Sequence, residues 1–154
     1  MEIAEQIQHA NNQPLVVILT GPSGVGKDAA LNELKKMDRP WHYVVTATTR
    51  PIRHNEIDGV DYIFMEESEF KLSLDQNEFL ESANVYERWY GVPKSQVSEP
   101  LQNGLDVILK VDIQGAATIK SLIPQAISIF MIPGTLSDLE NRLRTRMTES
   151  EEQL

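Results

Sequence analysis

The junction at residues 15–28 constrains this chain more than any other feature. Leu15–Thr20 (LVVILT) is a short apolar run rich in β-branched residues, the pattern of a strand buried on both faces. It runs directly into the glycine-dense turn Gly21-Pro22-Ser23-Gly24-Val25-Gly26-Lys27. A helical pattern follows over Asp28–Met37, with Ala30, Leu31, Leu34 and Met37 on one face. Glycines let the backbone curl so that successive N–H groups point inward at phosphate oxygens. The helix adds its N-terminal partial charge, and Lys27 adds a mobile ammonium for the outer phosphates of a nucleoside triphosphate. The spacing G-x-x-x-x-G-K in the context strand–turn–helix therefore predicts a phosphate loop. Its next position usually carries a Ser or Thr hydroxyl for Mg²⁺; here it is Asp28. A carboxylate can hold Mg²⁺ directly or through the ion's water shell, which predicts a steep Mg²⁺ dependence. The plainer alternative is an acidic residue suited to a helix's first turn.

The remaining pattern alternates strands with helices. Trp41–Thr46 reads as a second strand. Between residues 50 and 100 the chain is more polar, with a short strand at Tyr62–Met65, a helix at Glu67–Gln76, a strand at Phe79–Val85 and a helix at Lys94–Asn103. Asp106–Val111 and Ala126–Ile132 look like two further buried strands around a helix near Ala116–Ile123, and Leu136–Arg146 is a helix with a basic end. Such alternation means a mainly parallel sheet with right-handed crossovers. A length of 154 residues suits one domain. Residues 1–14 read as a loosely held polar arm. Thr148-Glu149-Ser150-Glu151 reads as a capping box opening a helix just before the sequence stops at Leu154, so the expectation is a shortened product or an incomplete record.

Composition narrows the partners. With 23 acidic against 14 basic residues the net charge is −9, which argues against a bulk nucleic-acid binder. Any anionic ligand must be held by a local cluster of positive groups. Absence of cysteine removes disulfides and thiolate metal sites and fits a reducing, cytoplasmic location. No apolar run approaches the roughly 20 residues of a membrane span.

The segment Thr46-Ala47-Thr48-Thr49-Arg50-Pro51-Ile52-Arg53 places two arginines beside hydroxyls after a strand. Arginine forks bind phosphate bidentately, although spacing alone suits a solvated pair equally well. Further on come Glu56-Ile57-Asp58-Gly59-Val60-Asp61-Tyr62-Ile63-Phe64, then Asn77-Glu78-Phe79-Leu80-Glu81, Tyr90-Gly91 and Val111-Asp112-Ile113-Gln114-Gly115. Together with the phosphate loop these motifs resemble the guanylate kinase family, from about Leu15 to Glu152.

The resemblance implies an α/β P-loop kinase fold of three αβα layers around a central, mainly parallel sheet. A core at residues 15–46 and 104–135 would carry a small inserted GMP-binding region at about 47–100 and a lid from about 136 to 154. It implies a cytoplasmic enzyme, monomeric or homo-oligomeric, that transfers phosphate from ATP to GMP with Mg²⁺ and binds neither nucleic acid nor membrane. Gly21, Pro22, Ser23, Gly24, Val25, Gly26, Lys27 and Asp28 would hold the ATP phosphates. Arg50, Arg53, Tyr62 and Tyr90 would bind the GMP phosphate, and Thr46 and Glu81 would face guanine. Asp112 would stand near the acceptor and reach the metal through water, as would Asp28, directly or through water. Lys27, Arg50, Arg142 and Arg146 would do the catalytic charge work, the last two from the lid. Arg50→Ala is then expected to lower turnover by orders of magnitude with folding unchanged.

The residue chemistry agrees with the resemblance. Guanine offers N1–H and an N2 amino group, and a carboxylate such as Glu81 is acceptor-only, whereas adenine would leave it unpaired. Val92 stands where the family has Ser or Thr, removing one hydroxyl contact, and Lys110 stands where an acidic residue commonly precedes Val111-Asp112. Asp28 and Val92 also suit ribose bisphosphate kinases, which are similar to this family. A catalytically silent guanylate-kinase-like module that binds nucleotide or phosphopeptide is the remaining alternative.

Overall fold

The computed structural model describes residues 13–146. The expected capping box at 148–151 and all but Gln13 and Pro14 of the expected arm lie outside them. Strand β1 (Val16–Thr20) is the centre of a four-stranded sheet of order β2-β7-β1-β8, with β2 at Trp41–Tyr43, β7 at Asp106–Lys110 and β8 at Ile127–Phe130. Every pairing in it is parallel, with Val16 opposite Val107 and Leu19 opposite Lys110. Ile18, Val107 and Leu109 have no exposed surface, which is why β1 and β7 read as continuous apolar runs.

Helices connect the strands. Helix α1 (Lys27–Lys35) leaves the loop after β1, α3 (Ser95–Gln102) precedes β7, and α4 (Ile113–Leu122) runs from β7 towards β8. Val97 of α3 and Ala116 and Ile119 of α4 pack with Val16, Ile18, Val107 and Leu109 in one core. The final described helix, called α5, spans Leu136–Arg146.

Two sequence expectations change here. The strand expected over Ala126–Ile132 is shorter and lies at the sheet's edge, with Ile127, Ile129 and Phe130 about half exposed. The apolar face of α1 is also incompletely covered: no α1 residue is fully buried, and Met37, expected on that face, lies beyond the helix and is exposed. Hydrophobic patterning specifies which face would be buried; burial itself needs a neighbour.

A second four-stranded sheet, order β4-β3-β6-β5, is built from the middle of the chain: β3 (Ala47–Thr48), β4 (Ile63–Phe64), β5 (Phe79–Val85) and β6 (Arg88–Pro93). The strand expected over Trp41–Thr46 stops at Tyr43, because the chain there crosses from one sheet to the other. Gln96 bridges the crossover: its Oε1 accepts from Val45 N at 3.2 Å and lies 3.0 Å from His42 Nε2. Helix α2 (Glu67–Asp75) drives Phe70 into this smaller unit, where its ring stacks on Phe79 at 4.4 Å and on Trp89 at 5.7 Å. Val92 of β6 is fully buried in the main core, so the two sheets share packing.

Strand β6 escapes the sequence pattern because of its turn. Val85 pairs with Arg88, leaving a two-residue hairpin of Tyr86 and Glu87 with φ of 49° and 62°. This is the geometry that favours Asn-Gly, and the sequence carries neither residue there.

Candidate active site

In parallel sheets ligands bind beyond the carboxyl ends of the strands. Here β1 ends in the glycine turn, β7 ends in Lys110, and Asp112 opens α4 beside it. Gly21 adopts φ 147° and a Cβ there would lie 2.5 Å from the Met131 carbonyl oxygen, so the loop needs glycine at its first position. Lys27 Nζ is turned back on its own loop, donating to the carbonyls of Gly21 at 2.7 Å and Pro22 at 3.0 Å. Arg142 of α5 donates from Nη1 to the Val25 carbonyl at 3.0 Å. Helix α5 is thereby seated on the phosphate loop.

A cavity of about 820 Å³ opens between this loop and the second sheet. Gly21, Ser23, Gly24, Gly26, Lys27 and Asp28 line one wall, and Thr46, Arg50, Arg53, Tyr62, Glu81 and Tyr90 line the other, with Asp112 and Arg142 between them. Pro22 and Val25 do not line it: the Pro22 carbonyl accepts from Lys27, and Val25 is buried with its carbonyl bonded to Arg142. The side chain of Arg146 lies outside the described residues. Val92 is opposite Glu81 in the β5–β6 register but points its bulk into the core.

Arg50 is held on all sides. Its Nη2 donates to Glu56 Oε1 at 2.7 Å, its Nη1 to Glu56 Oε2 at 3.0 Å and to the Pro51 carbonyl at 2.9 Å. The guanidinium carbon lies 5.2 Å from the Tyr62 ring centroid and 5.6 Å from that of Phe64. Glu56 Oε2 also accepts from the backbone N–H of Arg53 at 2.8 Å. Burial works against the Glu56 charge, but the Arg50 hydrogen bond, the Arg53 N–H and both guanidinium charges hold its carboxyl below the ordinary value. Tyr62 and Tyr90 meet edge to face at 6.2 Å, so the phenols form one wall.

Glu81 is almost completely buried, and its carboxyl is pushed up to about 7, by burial first and then by the nearby Asp112 charge. Asp112 caps α4, its Oδ1 accepting from Gly115 N at 2.7 Å.

Lys110 acquires a setting that the sequence did not announce. Its ammonium bonds the carboxylate of Asp28 and donates to the Tyr62 hydroxyl at 3.2 Å. The residue was legible as a departure from the family motif; its partners were not, because Asp28 lies 82 residues away. Glu56 is a second residue whose role emerges only here. Asn141 and Thr145, near Arg142 on α5, also line the cavity and were signalled only by helical spacing.

Magnesium takes oxygen ligands and keeps much of its water, so one carboxylate together with substrate phosphates suffices. Asp112, exposed at the cavity with one oxygen engaged by Gly115, fits such a water-mediated contact. Asp28 fits a direct-ligand role less well, since the Lys110 ammonium on its Oδ1 sets a positive charge where the ion would sit. Among the described residues no three metal-ligating side chains group together, and no helix is long and apolar enough to cross a membrane.

Comparison with known proteins gives the same picture. A family model described as guanylate kinase matches residues 13–154. The chain is 41% identical over 142 residues to guanylate kinase of Caldanaerobacter subterraneus subsp. tengcongensis, covering 92% of this chain and 69% of that protein. It is 44% identical over 138 residues to guanylate kinase of Carboxydothermus hydrogenoformans, covering 90% and 68% respectively. The crystal structure of guanylate kinase from Anaplasma phagocytophilum superposes with a TM-score of 0.75 at 29% identity, over 88% of this chain and 68% of that one. The phosphate loop, the facing arginine–tyrosine wall, the parallel sheet and this likeness together place the chain in the guanylate kinase family.

Proposed function

We propose that the chain transfers the γ-phosphoryl group of ATP to GMP, yielding ADP and GDP. The observation that carries this reading is the single cavity that sets the phosphate loop opposite a buried carboxylate and an arginine–tyrosine wall. One wall suits a triphosphate tail; the other suits a phosphate attached to a base with N–H donors.

Each residue then has a stated task. Lys27 exchanges the Gly21 and Pro22 carbonyls for phosphate oxygens. Arg50 spends three N–H donors on Glu56 and Pro51, which leaves about two for the GMP phosphate. Tyr62, Tyr90 and Arg53 complete that pocket, and ionised Glu81 accepts from guanine N1–H and the N2 amino group. A GMP phosphate oxygen attacks the γ-phosphorus while the bond from that phosphorus to the β-bridging oxygen breaks, and Arg50 and Arg142 offset the spreading charge. Asp112 would hold Mg²⁺ brought in with ATP through water, and the bound ion would add charge neutralisation at the phosphates. A cytoplasmic location fits a cysteine-free chain.

Coupled assays of ADP release with GMP, AMP and ribose 1,5-bisphosphate as acceptors test the reading. GMP should be the preferred acceptor. Preference for the sugar phosphate, or binding of GMP without turnover, would replace it.

A further inference from the structure

Resting on the guanylate reading above, we propose that Lys110 is a further phosphate-binding residue of this site, and that Asp28 is its counter-ion rather than a metal ligand. Lys110 is the last residue of β7, opposite Leu19 of β1, and lines the cavity between the phosphate loop and the facing wall. It links them: its Nζ bonds Asp28, from the first turn of α1, and Tyr62, from the facing wall, and lies 4.8 Å from the Tyr62 ring centroid.

The asymmetry of the pair gives the direction of the inference. The Lys110 side chain is 16% exposed and that of Asp28 is 58% exposed. The carboxylate therefore has water to turn to, whereas the ammonium does not. An ammonium has three donors, and two are used among the described residues. A phosphate entering beside Tyr62 can take the third donor and compete for the one on Asp28.

The arrangement also explains how an acidic residue is tolerated in a phosphate loop. An uncompensated carboxylate at Asp28 would repel the phosphates that its own loop collects. Lys110 offsets that charge from within the protein. Asp28 and Lys110 thus act as one compensated pair, which places a fixed cation beside Tyr62.

Calorimetric titration of the full chain in EDTA, without ATP, separates the possibilities, with GMP and guanosine as probes. Lys110→Gln should weaken GMP at least about tenfold, the loss of one charge-assisted hydrogen bond, while guanosine stays within about twofold. A GMP affinity within about threefold of the parent overturns the proposal, as does an equal loss for both ligands, which would make Lys110 a strut between the two walls. Because Lys110→Gln also removes an ion-pair partner of Asp28, the same comparison is made between Asp28→Asn and the double variant Asp28→Asn/Lys110→Gln, which should differ by a similar factor. Asp28→Asn should leave the Mg²⁺ dependence of ATP binding within about threefold; a larger loss returns Asp28 to the metal and overturns the pair assignment. If the parent chain fails to bind GMP, the guanylate reading falls and this inference with it. If the parent binds GMP and Lys110→Gln binds it equally well, only this inference falls.

Discussion

Glu56 grips Arg50 through both carboxylate oxygens, at 2.7 and 3.0 Å, with side-chain exposures of only 16% and 12%. The guanidinium that faces the acceptor pocket is therefore positioned by a residue six places along the chain. Removing either member leaves the other's charge largely buried without its ion-pair partner. This alters the expectation for Arg50→Ala: turnover should still fall by orders of magnitude, but folding should weaken as well, by about 2 kcal/mol.

Glu56→Gln should raise the KM for GMP more than it lowers kcat, and should cost about 2 kcal/mol in urea unfolding. The pH dependence follows from the depressed Glu56 carboxyl. Its stabilisation is fully present above the ordinary value of 4.5 and is lost as pH falls through the lower folded value. The stability gap between parent and variant should accordingly close in acid.

Glu81 has the opposite sign. Its carboxyl is raised from 4.5 to about 7, so its contribution to stability is intact below 4.5 and is lost as pH rises through about 7. Glu81→Gln should thus gain stability relative to the parent above neutrality. Binding runs the other way, because guanine needs the ionised, acceptor-only form. GMP affinity should drop by up to about tenfold per pH unit below 7 in excess of any drop in the variant, and calorimetry in buffers of different ionisation enthalpy should show proton release near pH 7. The variant should also lose most of its preference for GMP over AMP.

Arg142→Ala removes the donor that ties α5 to the Val25 carbonyl. We expect kcat to fall about a hundredfold through lost charge stabilisation, with unfolding free energy changed by about 0.5 kcal/mol or less, since the side chain is exposed. A parental kcat would remove Arg142 from the machinery.

Gly91→Ala tests the smaller sheet. A Cβ at Gly91 would lie 2.7 Å from Phe79 Cδ1 and 2.9 Å from Phe70 Cζ. Those rings are stacked and cannot both retreat, so the substitution should destabilise by about 1–3 kcal/mol and weaken GMP binding through displaced Tyr90. Urea midpoints and GMP titrations read the two effects separately.

The sequence by itself determined the strand–loop–helix junction at residues 15–35, the parallel core strands and most helices, because these depend on local periodicity and on glycine at fixed spacing. It also named most of the side chains that line the cavity, but not Ala83, Val85, Tyr86, Asn141 or Thr145, which the fold brings there. Tertiary structure decided what depends on distant neighbours. The hairpin at Tyr86-Glu87 forms without turn-favouring residues because its strands pair over a packed aromatic cluster. The apolar residues of β8 stay half exposed because nothing among the described residues covers them. Asp28, read as a candidate metal ligand, meets a lysine 82 residues away. A carboxylate's chemistry is set by whichever charge the fold brings beside it, and no local pattern encodes that choice.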